Sequence, residues 1–331
     1  MNDVARTRLA AQAVTRPLPT PAAVVKRLLA VQAQDYPGTV WAVALRCGAG
    51  PAEVEAALAR REIVRTWPMR GTLHLVAAED ARWMIELMSP RVLASTGKRR
   101  AALELDDDTL RRCRSHLDTA LIGRTMDRED VFASLESAGI RVGPRRGYHI
   151  LFHLAQERAI VQVGRDQYAL FDEWLPESPS LPRDESLARL ARGYLAGHGP
   201  ATVQDLAWWS GLGIGDCKRG IAAAGDVALP DDPPPAGVHL LPGFDELLLG
   251  YRDRTAMLDP EFADRICPGG NGVFRPTLLV DGRMVGTWRA KAATRSVALT
   301  YEPFDGTIDP TPLRPAAERY AAFLGKRLTS A

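Results

Sequence analysis

The sequence predicts an α+β chain built from three tandem winged-helix units and a C-terminal β-barrel-like module. Three observations carry that expectation. Helical periodicity followed by a strand–turn–strand ribbon occurs twice before residue 180, and a weaker helical block follows at 186–227. The proline-rich stretch "LPDDPPPAG" at 229–237 then opens a β-rich remainder. The expected division is residues 1–95, 96–180 and 181–236 for the three units, the third including its linker. Residues 237–331 form the β-rich module with a closing helix.

Residues 4–15, 21–33 and 51–60 read as amphipathic helices, and Pro21 and Pro51 stand at favourable first-turn positions. In "IVRTWPMRGTLHLV" the character changes. Ile63, Val64 and Thr66, then Thr72, Leu73, Leu75 and Val76, are strand formers, and Pro68 to Gly71 breaks them into a hairpin. "AAEDARWMIELM" resumes a helix. Three helices and a two-stranded ribbon is the order of a winged helix, a relative of the helix-turn-helix. The order recurs in "TMDREDVFASLESAGI", with Asp127 as N-cap, and in "GYHILFHLAQERAIVQVGRDQYALF". There a helix through Gln156 precedes strands around a Gly164–Asp166 turn. The third copy has short helices separated by Gly-Pro and Ser-Gly turns. Beyond the linker, Asp281-Gly282 marks a hairpin, and a last helix runs from Pro315 to about Lys326.

Composition narrows the function. Among 331 residues, 46% are hydrophobic and 25% charged, as in soluble globular proteins. No run of eighteen apolar residues suggests a membrane span, and the start lacks a signal peptide's apolar core, so the cytoplasm is the expected location. Cys47, Cys113, Cys217 and Cys267 are scattered, which argues against zinc or a disulfide framework. No metal and no cofactor is expected. A formal net charge of +2 gives bulk charge no say on nucleic acid, so local clusters must carry that reading. Such clusters occur at 97–100, 111–114 and 143–149, the last placing Arg145 and Arg146 before the second unit's recognition helix, where phosphate would bind.

The stretch "LLAVQAQDYPGTV", residues 28–40, puts Gln32 and Gln34 at the end of an apolar helix. On a helix they would point apart by about 200°. In extended chain they would share a face. Pro37 biases Tyr36 away from helical angles and Gly38 permits a bend, so unwinding near Ala33 would let both amides converge. Two readings stay open: a solvated helix cap that includes Asp35, or a site. A glutamine amide is no base, but it can orient a water. That suits a reaction whose leaving group is already good, such as loss of a cationic alkylated purine from its sugar, where positioning and charge stabilisation suffice. His149 and His153, spaced i,i+4, lack a third ligand in view and read as lining the second recognition helix.

Five ordered stretches, "LLAVQAQDYPGTVWAVALR", "RTWPMRGTLHLVAAED", "HGPATVQDLAWWSGL", "LPGFDELLLGYRDR" and "NGVFRPTLLVDGRMVGTWR", together resemble the AlkZ-like (YcaQ-related) DNA glycosylases. The resemblance implies three winged helices and a β-barrel wrapped as a C around duplex DNA. It also implies a Gln-apolar-Gln motif, matched by Gln32-Ala33-Gln34, that holds the catalytic water, while a sister group carries aspartate at the second position. The implied enzyme is monofunctional and releases alkylated purines, bulky natural-product adducts or crosslinked bases, acting as a monomer. Asp35, His74, Asp245 and Asn271 are candidate helpers, and Arg70, Thr72 and Arg275 join Arg145 and Arg146 as candidate DNA contacts. The competing expectation is a non-catalytic winged-helix DNA-binding protein, either a regulator or a lesion binder. An enzyme acting on a non-DNA N-glycoside is a third.

Overall fold

The computed structural model describes residues 3–330. Its first section runs α1 (Asp3–Ala11), α2 (Pro21–Leu28), β1 (Ala30–Gln32), α3 (Tyr36–Leu45), α4 (Pro51–Ala59), β2 (Ile63–Met69), β3 (Thr72–Ala77) and α5 (Ala78–Ala94). Next come α6 (Gly97–Ala102), α7 (Asp107–Ala120), β4 (Met126–Asp127), α8 (Arg128–Ser137), α9 (Pro144–Gln156), β5 (Ile160–Val163), β6 (Gln167–Leu170) and α10 (Phe171–Trp174). Helices α11 (Arg183–His198), α12 (Val203–Ser210) and α13 (Ile214–Ala224) follow. The last section holds β7 (Val238–Leu241), α14 (Glu246–Leu249), α15 (Ala263–Ile266), β8 (Thr277–Val280), β9 (Arg283–Ala292), β10 (Ser296–Pro303), α16 (Arg314–Phe323) and β11 (Arg327–Ser330). The architecture is mixed α and β, and no described helix is long and apolar enough to cross a membrane.

Two sheets organise these elements. The first has six strands in the order β1-β3-β2-β5-β6-β4, so the two hairpins join edge to edge at Arg65 and Gln162. The order reads the same from either end. The element series α2-β1-α3-α4-β2-β3-α5 is repeated by α7-β4-α8-α9-β5-β6-α10. The third helical block has no ribbon: among the described residues no strand falls between α13 and β7. Pro230 and Pro233–Pro235 occupy that segment, and proline cannot donate to a ladder. The third winged helix of the sequence reading is therefore three helices without a wing.

Helix α2 also departs from expectation. Thr20 caps it, accepting from Ala23 N at 3.1 Å, and Val24, Val25 and Leu28 fill its buried face. It ends at Leu28, five residues before the expected Ala33, because Leu29 turns into the left-handed region at φ 60°. That conformation costs about 1 to 2 kcal/mol for a residue with a Cβ. Opposing that cost, the next three residues pair with β3 as Ala30–Val76, Val31–Leu75 and Gln32–His74. Ala30 and Val31 are apolar enough for either a helix or a strand, and only the partner decides.

The second sheet runs β11-β10-β9-β8-β7, with β10 and β11 parallel and the other neighbours antiparallel. The expected barrel-like module is an open half-barrel, its edges β7 and β11 unpaired with each other. Helix α16 shares its core, with Ala316, Ala317 and Ala321 packed among Leu240, Leu278 and Trp288. So does α1, through Ala5 and Leu9, although it lies at the other end of the chain. Helix α3 belongs to both halves of the molecule. Val40 and Val43 enter the core of the first sheet, while Trp41, Ala44 and Leu45 enter that of the half-barrel. Trp41 Nε1 donates to Leu240 O at 2.7 Å. Residues 33–35, between β1 and α3, thus lie where the two halves meet.

Candidate active site

Gln32 closes β1 and Gln34 stands in the connection to α3. Gln32 Nε2 donates to Gln34 Oε1 at 2.8 Å, and Gln34 N donates to Gln32 Oε1 at 3.3 Å. The amides converge, Gln32 only 5% exposed and Gln34 open to solvent. Their backbone is held on every side. Gln32 N donates to Glu246 Oε1 (3.2 Å), and Thr39 Oγ1 donates to Gln32 O (3.0 Å). Ala33 N donates to Leu73 O (2.7 Å), while Arg65 Nε and Nη2 donate to Ala33 O (3.0 and 2.6 Å). These bonds fix the backbone from which both side chains start, and the amides themselves are held by the two bonds they share.

Pro37 and Gly38 do not form the expected bend. They lie in the first turn of α3, Pro37 serving as a first-turn proline. The chain has already left the helix at Leu29, so no further bend is needed. A Cβ on Gly38 would come within 2.4 Å of Asp35 Oδ2, so glycine there admits the Asp35 carboxylate. Asp35 is exposed, in the N-cap position of α3 but with no capping hydrogen bond from its side chain. Burial, and then the Asp35 charge, push the Tyr320 hydroxyl up, which places Asp35 near α16.

Register lines up Gln32, His74 and Thr66 across three strands, on one face of the sheet. His74 is fully buried, with Nδ1 2.9 Å from Thr72 O. Burial first, then Arg70, pull its pKa down to about 4, leaving a neutral imidazole at neutral pH. Among the described residues His74 Nε2 and Thr66 Oγ1 have no hydrogen-bond partner. Arg70, in the β2–β3 turn at φ 53°, is lowered by burial and partly restored by Glu246, and its Nε is likewise unpartnered. A Cβ on Gly211 would lie 3.1 Å from Arg70 Cγ, so the turn reaches the end of α12. Beyond it the Arg254 guanidinium lies 6.0 Å from the Trp208 ring and 5.7 Å from that of Phe274.

Glu246 is fully buried under the glutamines. Besides Gln32 N, it accepts from Trp209 Nε1 at 2.9 Å, and His198 Nε2 lies 3.5 Å away. Burial pushes its carboxyl up, but the His198 hydrogen bond and the charges around it, Arg70 among them, outweigh that and hold it below its ordinary range. Asp245, expected in the site, is sealed away instead. It meets Arg46 through two bonds of 2.8 and 2.9 Å and caps α14 by accepting from Leu247 N (2.9 Å). A polar residue in an apolar run must be paired or serve a site, and Asp245 is paired. Asn271 is exposed and accepts from Val273 N of its own loop at 2.8 Å. Arg275 is half-buried, donating to Arg265 O at 3.4 Å.

Thr72 is half-buried, its carbonyl facing His74. Arg145 is exposed at the start of α9, whereas Arg146 is half-buried and donates to Leu103 O at 3.2 Å. The other basic clusters are half offset: Arg100 pairs with Asp107, Arg111 with Asp108 (3.0 Å) and Arg114 with Asp118 (3.7 Å). His153 meets Glu157 at 3.2 Å, and His149 packs against Phe152. Sequence reasoning passed over Glu246, Arg65, Thr39 and Arg46. The signal for two of them was present: Arg65 interrupts an apolar strand, and Glu246 adjoins the flagged Asp245.

Comparison with known proteins settles the class. A family model described as DNA glycosylase AlkZ-like matches residues 25–323. The chain belongs to the AlkZ-like DNA glycosylase family, and its enzymatic class is DNA glycosylase. An interstrand DNA cross-link repair glycosylase of Streptomyces sahachiroi is 28% identical over 325 residues, covering 82% of this chain and 83% of that one. The solved structure of Streptomyces sahachiroi DNA glycosylase AlkZ shares the fold, with a TM-score of 0.80 at 22% identity. It covers 100% of this chain and 99% of that chain.

Proposed function

We propose that this enzyme hydrolyses the N-glycosidic bond of purines alkylated at N7 or N3 in duplex DNA, using a water held by Gln32 and Gln34. The observation that carries the proposal is the amide pair, mutually hydrogen-bonded on a backbone tied at Gln32 N, Gln32 O, Ala33 N and Ala33 O. Each Oε1 keeps a second lone pair. A water donating to both oxygens would turn its own lone pair outward, toward the anomeric carbon. The alkylated base leaves with the electron pair of the broken C–N bond, so the cationic base becomes neutral and the sugar becomes oxocarbenium-like. Water then adds to that carbon and loses its proton to solvent. No general acid is needed, and preorganised dipoles supply the positioning. A glutamine amide does not form a Schiff base, so with water as the nucleophile the strand is not cut at this step.

In this reading the two repeated units are winged helices, acting as a monomer in the cytoplasm. The divisions 1–95, 96–180, 181–236 and 237–331 are their organisation and that of the half-barrel. Arg145, exposed at the start of α9, supports a phosphate contact by the second unit. The similarity to a cross-link repair enzyme supports a site that also admits bulky or crosslinked bases. The test is base release from a duplex carrying 7-methylguanine, comparing wild type with Gln32→Ala and Gln34→Ala. Release is expected from wild type and a loss of about 100-fold or more from either variant. Full release by both variants would sink the mechanism.

A further inference from the structure

Asp245 and Glu246 are adjacent carboxylates, each 1% exposed, yet they are treated in opposite ways. Asp245 is neutralised by a bidentate arginine. Glu246 has no arginine or lysine ion pair among the described residues; its ion-pair contact is His198 at 3.5 Å. A buried carboxylate with no arginine or lysine in direct contact is expensive, and proteins keep such groups mainly where they serve a site. His198 and the more distant Arg70 offset the burial of Glu246 without a salt bridge from either cation type. Glu246 is also the side chain by which the half-barrel section reaches the glutamine motif, accepting the Gln32 N–H.

We infer that Glu246 is a positioning residue for glycosidic bond cleavage: it anchors the Gln32 backbone across the junction, and its negative charge, not tied up in an arginine or lysine salt bridge, favours the sugar as it becomes cationic. This rests on the glutamine-held water proposed above. The surroundings fit. Trp209 Nε1 and the Gln32 amide fix the carboxylate from two sides, so its charge stays in one place while the reaction proceeds. Glu246 is itself 1% exposed, so little solvent screens the field. His198 and the Arg70 guanidinium keep the carboxylate ionised without an arginine or lysine salt bridge, and His74, opposite Gln32 in register, is neutral at neutral pH.

The test separates charge from scaffold. Glu246→Gln keeps the volume and one acceptor oxygen but removes the charge, and Glu246→Ala removes all three. Single-turnover release of 7-methylguanine, affinity for undamaged duplex and Tm are measured for both. Glu246→Gln is expected to bind duplex as wild type does, with a lower Tm because its NH2 must face either the Gln32 N–H or the Trp209 Nε1–H. Its cleavage rate should nonetheless fall about 10-fold or more. Glu246→Ala should be slower still, with faster hydrogen exchange at the Gln32 amide. A wild-type rate in Glu246→Gln would overturn the role of the charge, and a wild-type rate in Glu246→Ala would overturn the inference entirely. Gln34→Ala run alongside identifies which idea has failed. If it is inactive while the Glu246 variants are fully active, only this inference falls. If it is fully active, the water mechanism falls, and the inference with it.

Discussion

The two halves of the six-stranded sheet are built to one plan. Each presents helix, strand, two helices, a hairpin and a helix, and the strands mirror one another across the β2–β5 seam. They differ after the first strand. In the second half β4 ends at Asp127 and α8 begins at the next residue, Arg128. In the first half three residues, Ala33, Gln34 and Asp35, separate β1 from α3. The candidate site is therefore an elaboration of the repeat rather than a consequence of it. The covering differs as well: β1 is buried throughout and backed by Glu246, while Asp127 is exposed. One plan carries the candidate site where the half-barrel section covers it, and an exposed strand end at Asp127 in the other half.

Breaking the seal should have the largest effect. Arg46, at the end of α3, ties the first half to the half-barrel section through Asp245 and donates to Gln12 O (2.9 Å) and Ala42 O (2.9 Å) as well. Arg46→Met leaves Asp245 buried and unpaired, which costs about 3 to 5 kcal/mol. Urea denaturation should show that loss, and a change under 1 kcal/mol would show that the junction relies on apolar packing alone. Next in size is a matched pair of substitutions. Gln34→Ala should slow base release by about 100-fold or more, and Asp127→Ala, at the corresponding place in the second half, should leave it unchanged. Equal losses would mean that both strand ends serve the chemistry.

The repeat was legible in the sequence for a local reason. Both hairpins alternate strand formers around short turns, as at Ile63–Val76 and around Gly164, and such patterns need no distant partner to be read. The end of α2 was not legible. Val31 suits a helix stripe and a strand alike, and what selects the strand is β3, more than forty residues away in sequence. The glutamines could be singled out by type and spacing, but their geometry could not, because it depends on Arg65, Thr39 and Glu246. Glu246 is 214 residues from Gln32. The same limit explains Asp245: an acid in an apolar run signals a buried role, but only the fold reveals that Arg46 already occupies it.

A third effect contrasts the same two places through pH. His74 faces Gln32, whereas its counterpart opposite Asp127 is Gln167, which does not titrate. Unfolded, His74 would titrate near 6.5, and folded it is held down to about 4. Between those values the unfolded chain takes up the proton and the folded chain does not. Its share of stability is therefore complete above about pH 6.5 and is lost as pH falls toward 4. By pH 5 that amounts to about 2 kcal/mol. The urea midpoint of His74→Gln should accordingly fall less between pH 7 and pH 5 than that of wild type. An identical fall would mean that the site admits the proton.

The smallest effect belongs to the open half and is the sharpest test of what that half does. Arg145 is exposed at the start of α9, while its neighbour Arg146 is half-buried and bonded to Leu103 O. If the second half only grips the backbone, Arg145→Ala should weaken binding to damaged and undamaged duplex alike by roughly threefold. It should also reduce the slope of log affinity against log salt by about 1, with no change in the single-turnover rate. Arg146→Ala should alter Tm as well, since that guanidinium also holds a carbonyl. A rate effect from Arg145→Ala would break the comparison, because a surface arginine in the open half would then act on the chemistry placed in the sealed one.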